Sequence, residues 1–182
     1  MGFKRKYISD GVYDVVDTLD PSFAAAEVAW IKQLGGNPII MKGGDSVIQM
    51  VERLRQRASN SPIKLLRFHG HGFPGFQAIA SGKIQRPHSM AAISTDHFQS
   101  LRNILGRLSG QFAGGAYVYL MGCNVASGDK GKQLLQNLAG LWRVPVTGAV
   151  EEQYVCGYSS NASEECKALT MNYEGPTETV YP

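Results

Sequence analysis

The chain has 182 residues, 43% hydrophobic and 18% charged, a size and balance that fit one ordinary globular domain with its own core. Its net charge of +3 is too weak and too scattered for a nucleic-acid footprint. No apolar run approaches the roughly 18 residues that span a bilayer, so no membrane partner is expected. The basic start "MGFKRKYISDG" is followed by no apolar signal-peptide core, and Lys6 stands where myristoylation needs Ser or Thr. The expected location is the cytoplasm.

In chain order, "VYDVVDT" reads as a first strand ending near Thr18. "DPSFAAAEVAWIKQLGG" reads as a helix, with Asp20 as N-cap, Pro21 at the first helical position and Gly35 as its stop. "NPIIMK" is a short second strand. "GDSVIQMVERLRQRAS" is a helix opened by Asp45 or Ser46, with Val47, Met50, Val51 and Leu54 at helical spacing. "IKLLRFHG" is a third strand, and "FQAIASGKI" reads as a small hairpin over the sheet edge. "STDHFQSLRNILGRLSG" is a helix that stops at Gly110. "GAYVYLMGC" is a fourth strand, "GDKGKQLLQNLAGLW" a helix and "VPVTGAV" a fifth strand. A β-hairpin is expected over 153–175, with "SSNAS" at its turn, and the last residues through Pro182 are expected to be loose.

Strand and helix alternate almost throughout. That pattern predicts a single α/β domain over 1–182, its core about 10–155: three layers, a mostly parallel sheet with helices on both faces. Ligands of such sheets sit beyond the carboxyl ends of the strands. Two of those ends carry chemistry. "FHGHG" closes the third strand and "MGCN" the fourth, so neighbouring strands would bring His71 and Cys123 within reach.

An imidazole that takes a thiol's proton makes the sulfur a nucleophile. The oxyanion that forms on attack needs donors, and bare glycine backbone lets substrate come close. Gly72 directly follows the histidine and Gly122 directly precedes the cysteine. The helix opening at "GDKGK" offers a positive N-terminal end that favours a thiolate.

A His-Gly pair ending one strand and a Gly-Cys pair ending the next resembles the caspase-like cysteine peptidases of clan CD. The 52-residue separation of His71 and Cys123 is close to the roughly 50 of caspases. The likeness is nearest to the uncharacterised bacterial caspase-like domain of large surface and adhesin-like proteins. That domain carries a "SHGSPG" block and a later "GCNVA-G--G" block, matched here by "GHGFPG" (70–75) and "GCNVASGDKG" (122–131). The likeness covers about residues 10–155 and implies a caspase-hemoglobinase-like fold. It also implies a cysteine endopeptidase with Cys123 as nucleophile and His71 as general base and acid. The amides of Gly72 and Cys123 would form the oxyanion hole, and Gly122 would keep the approach to the sulfur open. It places His69 and Asn124 beside the site. It implies a protein or peptide substrate, no cofactor and no metal, and it is compatible with a partner protein in activation. The nucleophile block reads Met-Gly-Cys-Asn-Val, without the Gln-Ala-Cys-Arg-Gly that marks aspartate specificity in caspases.

Other readings of the same residues are weaker. His69, His71 and Cys123 could supply three zinc ligands, but no fourth stands at a recognisable spacing, with His88 and His97 unassigned. "ASGDKGKQ" departs from a phosphate loop at Ala126 and Gln133. Cys156 and Cys166 could face each other across the hairpin, although three cysteines without an export signal favour free thiols. Phe73, Phe76, Tyr117 and Tyr119 belong either to a pocket or to the core. The alternative function is a caspase-like binding or regulatory module without turnover.

Overall fold

The computed structural model describes residues 10–81, 90–153, 173 and 175–182. A six-stranded sheet runs through it: β1 (Val12–Asp17), β2 (Ile39–Met41), β3 (Ile63–His69), β7 (Phe112–Leu120), β8 (Val146–Ala149) and β9 (Thr177–Val180). The order is β2-β1-β3-β7-β8-β9, parallel throughout except for the antiparallel β9. Four helices, α1 (Pro21–Gln33), α2 (Val47–Ala58), α3 (Phe98–Gly106) and α4 (Gly128–Trp142), connect the strands.

Alternation along the strands assigns the two faces. Leu66 and Phe68 of β3 and Val118 and Leu120 of β7 share one large core with Met50, Val51 and Leu54 of α2, Leu101 and Leu105 of α3 and Leu134, Leu138 and Trp142 of α4. Trp142 stacks on Phe68 at 6.4 Å, and its indole N–H donates to the Leu105 carbonyl at 2.9 Å, so the polar end of this buried ring is satisfied. Val16 of β1 packs on the other face with Ala24 and Ile31 of α1. The α/β architecture, with a mostly parallel sheet between helices, is therefore as the alternating pattern predicts. No helix among the described residues is long and apolar enough to cross a membrane.

Helix ends follow local chemistry. Asp20 precedes α1, and its carbonyl accepts from the Ala24 N–H at 3.0 Å. Gly35, at φ +86°, ends the helix as the Gly36 N–H returns to the Ile31 carbonyl at 2.8 Å. Ser46 occupies the N-cap of α2 but bonds Gln49 rather than a backbone amide. Asp45 instead forms a two-pronged ion pair with Arg53, at 2.8 and 2.9 Å.

Two expectations need correction, and one turn was not foreseen. A hairpin turn falls at Pro74-Gly75, while residues 82–84 of the hairpin expected over "FQAIASGKI" lie outside the described residues. Phe73 and Phe76 pair across it, and Gly75 adopts φ +74°, so Pro and Gly take the central positions of a type II turn. The resulting strands β4 (Gly72–Phe73) and β5 (Phe76–Ala78) form a small second sheet with β6 (Ala92–Ser94). The helix expected from Ser94 accordingly starts at Phe98, because Ala92–Ser94 is held as a strand against β5; it ends at Gly106, with a separate 3-10 turn over Ser109–Gln111. Finally, the chain end is not loose. Thr177–Val180 adds an antiparallel edge to β8, tied by a 2.9 Å hydroxyl contact between Thr147 and Thr179. Most of the hairpin expected over 153–175 lies outside the described residues, as do His88, Cys156 and Cys166.

Candidate active site

β3 and β7 are neighbours, with Phe68 opposite Leu120. The Met121 N–H extends their ladder by donating to the Phe68 carbonyl at 2.9 Å, so both chains leave the sheet at the same edge. Their backbones then meet. A Cβ on Gly122 would lie 2.8 Å from Gly72 Cα, and one on Gly72 would lie 2.6 Å from the Cys123 carbonyl oxygen and 2.4 Å from Val125 Cγ2. Both positions need glycine because no side chain fits between the two strand ends. This close packing joins the segments that carry His71 and Cys123.

The "GHGFPG" and "GCNVASGDKG" blocks have a shared mechanical meaning. The Gly75 N–H donates to the Val125 carbonyl at 3.0 Å, and a Cβ on Gly75 would lie 2.7 Å from Thr95 Oγ1 and 2.9 Å from Lys130. The "FPG" turn thus buttresses the cysteine loop. Within that loop Asn124 takes the left-handed conformation at φ 56°, which asparagine tolerates better than most residues, and its N–H donates to the Glu151 carbonyl at 2.9 Å. Gly131 lets α4 pack beneath Ala126, where a Cβ would fall 2.2 Å from the alanine carbonyl carbon.

His71 sits on the rim, its side chain 31% exposed. Nε2 lies 2.9 Å from Oδ2 of the buried Asp20, and the ring stacks on Phe23 at 5.9 Å. A carboxylate only accepts, so in the neutral ring Nε2 carries the hydrogen and Nδ1 is the basic nitrogen. Cys123 is half-buried. Its Sγ accepts from the Gln153 N–H at 3.2 Å and faces the Gln153 carbonyl at 3.4 Å.

The donors near the sulfur are more selective than the sequence implies. The Gly122 N–H is committed to Oε1 of the fully buried Gln77 at 3.0 Å, so Gly122 supplies shape rather than an oxyanion donor. Among the described residues no acceptor takes the Cys123 N–H. The Ala78 N–H donates to the His71 carbonyl at 2.9 Å, which makes Gly72 opposite Gln77 a non-hydrogen-bonded pair and turns the Gly72 N–H away from β5.

His69, two residues before His71, lies in a different setting. It is 1% exposed, with Nε2 2.9 Å from Asp14 and Nδ1 2.9 Å from Glu27, the latter off the line of a good hydrogen bond. Arg67 pairs with the same Asp14 at 2.7 and 3.1 Å. Burial opposes a charge on His69, but the Glu27 and Asp14 carboxylates outweigh it and raise its pKa to about 9. With both nitrogens facing carboxylates, His69 has no lone pair for a metal. His97 contacts Ser94, and among the described residues no group of three or more His, Cys, Asp or Glu side chains could hold an ion.

Sequence reasoning missed four contributors: Asp20 and Phe23 on His71, Gln77 on Gly122, and Gln153 on the sulfur. Asp20 was visible only as a helix cap. Its contact with His71 requires knowing that β1 lies beside β3, which places the start of α1 over the end of β3.

Residues 33–153, more than half of the chain, match the family model described as domain of unknown function DUF4347. Among curated proteins none matches. The chain belongs to the DUF4347 family.

Proposed function

We propose that the protein is a cysteine endopeptidase of caspase-like type, working through Cys123 and His71. The observation that carries this reading is the backbone contact of Gly72 with Gly122 and Cys123, beside a rim-exposed histidine held by a buried carboxylate. His71 takes the thiol proton as Sγ attacks the scissile carbonyl carbon. The tetrahedral oxygen is stabilised by the amides of Cys123 and Gly72. As the intermediate collapses, His71 gives its proton to the leaving amine, and water then hydrolyses the thioester with His71 as base. Asp20 orients the imidazole and stabilises it when charged, the role of a third member in such sites. The layered parallel sheet is compatible with the caspase-hemoglobinase-like fold. The substrate is a protein or peptide.

A second reading has its own support. The Gln153 main chain lies against the sulfur. That contact favours either a binding module without turnover or an enzyme that a partner or ion must open. Purified protein offered a varied peptide and protein mixture, with and without calcium, distinguishes these. Cleavage lost in Cys123→Ala supports the peptidase. No cleavage by either form, with Cys123 alkylated no faster than Cys156 and Cys166, supports the binding module.

A further inference from the structure

We propose that His69 is a positioning residue: with Glu27 and Asp14 it latches α1 onto the end of β3, so that Asp20 and Phe23 hold the His71 ring for Cys123. This rests on the reading of Cys123 and His71 as a catalytic pair.

The geometry is a helical stripe against a strand end. Asp20, Phe23 and Glu27 recur at the spacing of one face of α1. Asp20 and Phe23 meet His71, and Glu27 meets His69. The helix touches "HGH" through both of its imidazoles. Among the described residues the apolar cluster under α1 is small, with Val16, Ala24 and Ile31 buried and Val28 and Leu34 partly so, and the helix also buries Trp30, whereas the opposite face is a continuous core fed by three helices. The buried charged contact adds a directional hold on α1 beside this apolar cluster.

A charge on His69 strengthens that contact. The imidazolium and Arg67 then face two carboxylates, Asp14 and Glu27. Among the described residues, the charged groups around His69 are Asp14 from β1, Glu27 from α1 with Asp20 just before that helix, and Arg67 from β3. Tyr119 of β7 stands opposite Arg67. Loss of the His69 proton removes the positive charge that the Asp14 and Glu27 carboxylates face at its two ring nitrogens. The latch then weakens and the His71 ring loses its support.

The test follows the histidine ring NMR signals of the full chain from roughly pH 6 to pH 10, across the range where His69 titrates. In the wild type the His69 signals titrate near the raised value, and the His71 signals change in step with them. Glu27→Gln lowers the His69 titration by roughly 1–3 units, shifts the His71 ring signals and slows Cys123 alkylation several-fold at mildly acidic pH. Leu54→Ala, on the opposite face, lowers Tm without moving any of these. A wild-type His69 that titrates below about pH 7 overturns the proposal, a limit set by its ordinary value near 6.5. So does a Glu27→Gln variant with lowered Tm but unchanged His71 signals and alkylation. If that variant does not fold, the wild-type coincidence of the two titrations still decides. Failure of the peptidase reading shows separately, as absence of cleavage while the coupling between the two rings persists.

Discussion

The two faces of the central sheet are built on different physics. Beneath α2, α3 and α4 lies an almost wholly apolar core. Beneath α1 the strands present Asp14, Arg67 and His69, all buried and ion-paired. Apolar burial is non-directional and proportional to area, so it stabilises the fold without fixing a ring's angle. Hydrogen-bonded charges fix geometry and register at a desolvation cost, and add little net stability over a hydrophobic replacement. The candidate active site lies at the edge of the charged face. One half of the molecule holds the fold together, and the other holds the His71 ring.

This contrast can be broken at several points. The largest effect is expected on activity: Cys123→Ala abolishes cleavage of any peptide the wild type cuts, and His71→Ala reduces it at least about a hundredfold, the usual contribution of general acid–base catalysis. Both are read as initial rates and should leave the urea midpoint close to the wild type. On the apolar face, Phe68→Ala should cost about 3–5 kcal/mol in urea unfolding, since a fully buried ring stacked on Trp142 is replaced by a cavity. It should leave the His71 ring signals in place in whatever fraction remains folded.

On the charged face the expected signature is pH dependence. His69 has a folded pKa raised to about 9, above the ordinary 6.5 of the unfolded chain. Its contribution is therefore fully present below about pH 6.5 and is lost as pH rises through about 9, on the order of a few kcal/mol. Urea unfolding at a series of pH values checks this, and His69→Gln should flatten the alkaline decline. Smaller effects belong to the joints. Gln77→Leu leaves the Gly122 N–H without its partner at 3.0 Å and should cost about 1–3 kcal/mol. Thr179→Val, at the edge strand, removes one half-exposed hydroxyl contact and should cost about 1 kcal/mol or less by the same measurement.

How much of this was legible in the sequence divides along the same line. α4 runs over Gly128–Trp142, the boundaries that its apolar periodicity and flanking residues set, and β3 ends at His69 as its apolar run implies. These elements are local, so their signals are local too. The meeting of the segments that carry His71 and Cys123 also followed, because two neighbouring parallel strands leave the sheet at one edge. What failed was non-local pairing. Pro74-Gly75 was read only as part of a motif, and its role as a turn became visible once β6 supplied a third strand. Val180 and its neighbours looked like a polar tail because an edge strand buries too little to show an alternating pattern. The contacts of Gly122 with the Gly72 backbone and Gln77 were also out of reach, because no spacing within the chain reveals them.

The most direct test of the central claim is the alkylation rate of Cys123 at mildly acidic pH, compared between the wild type and His71→Ala. An imidazole acting on the sulfur at one sheet edge predicts that the wild-type sulfur reacts many times faster and that the variant falls to the rate of an ordinary thiol. Equal rates in the two proteins would show that His71 does not act on the sulfur, and the peptidase reading would be lost.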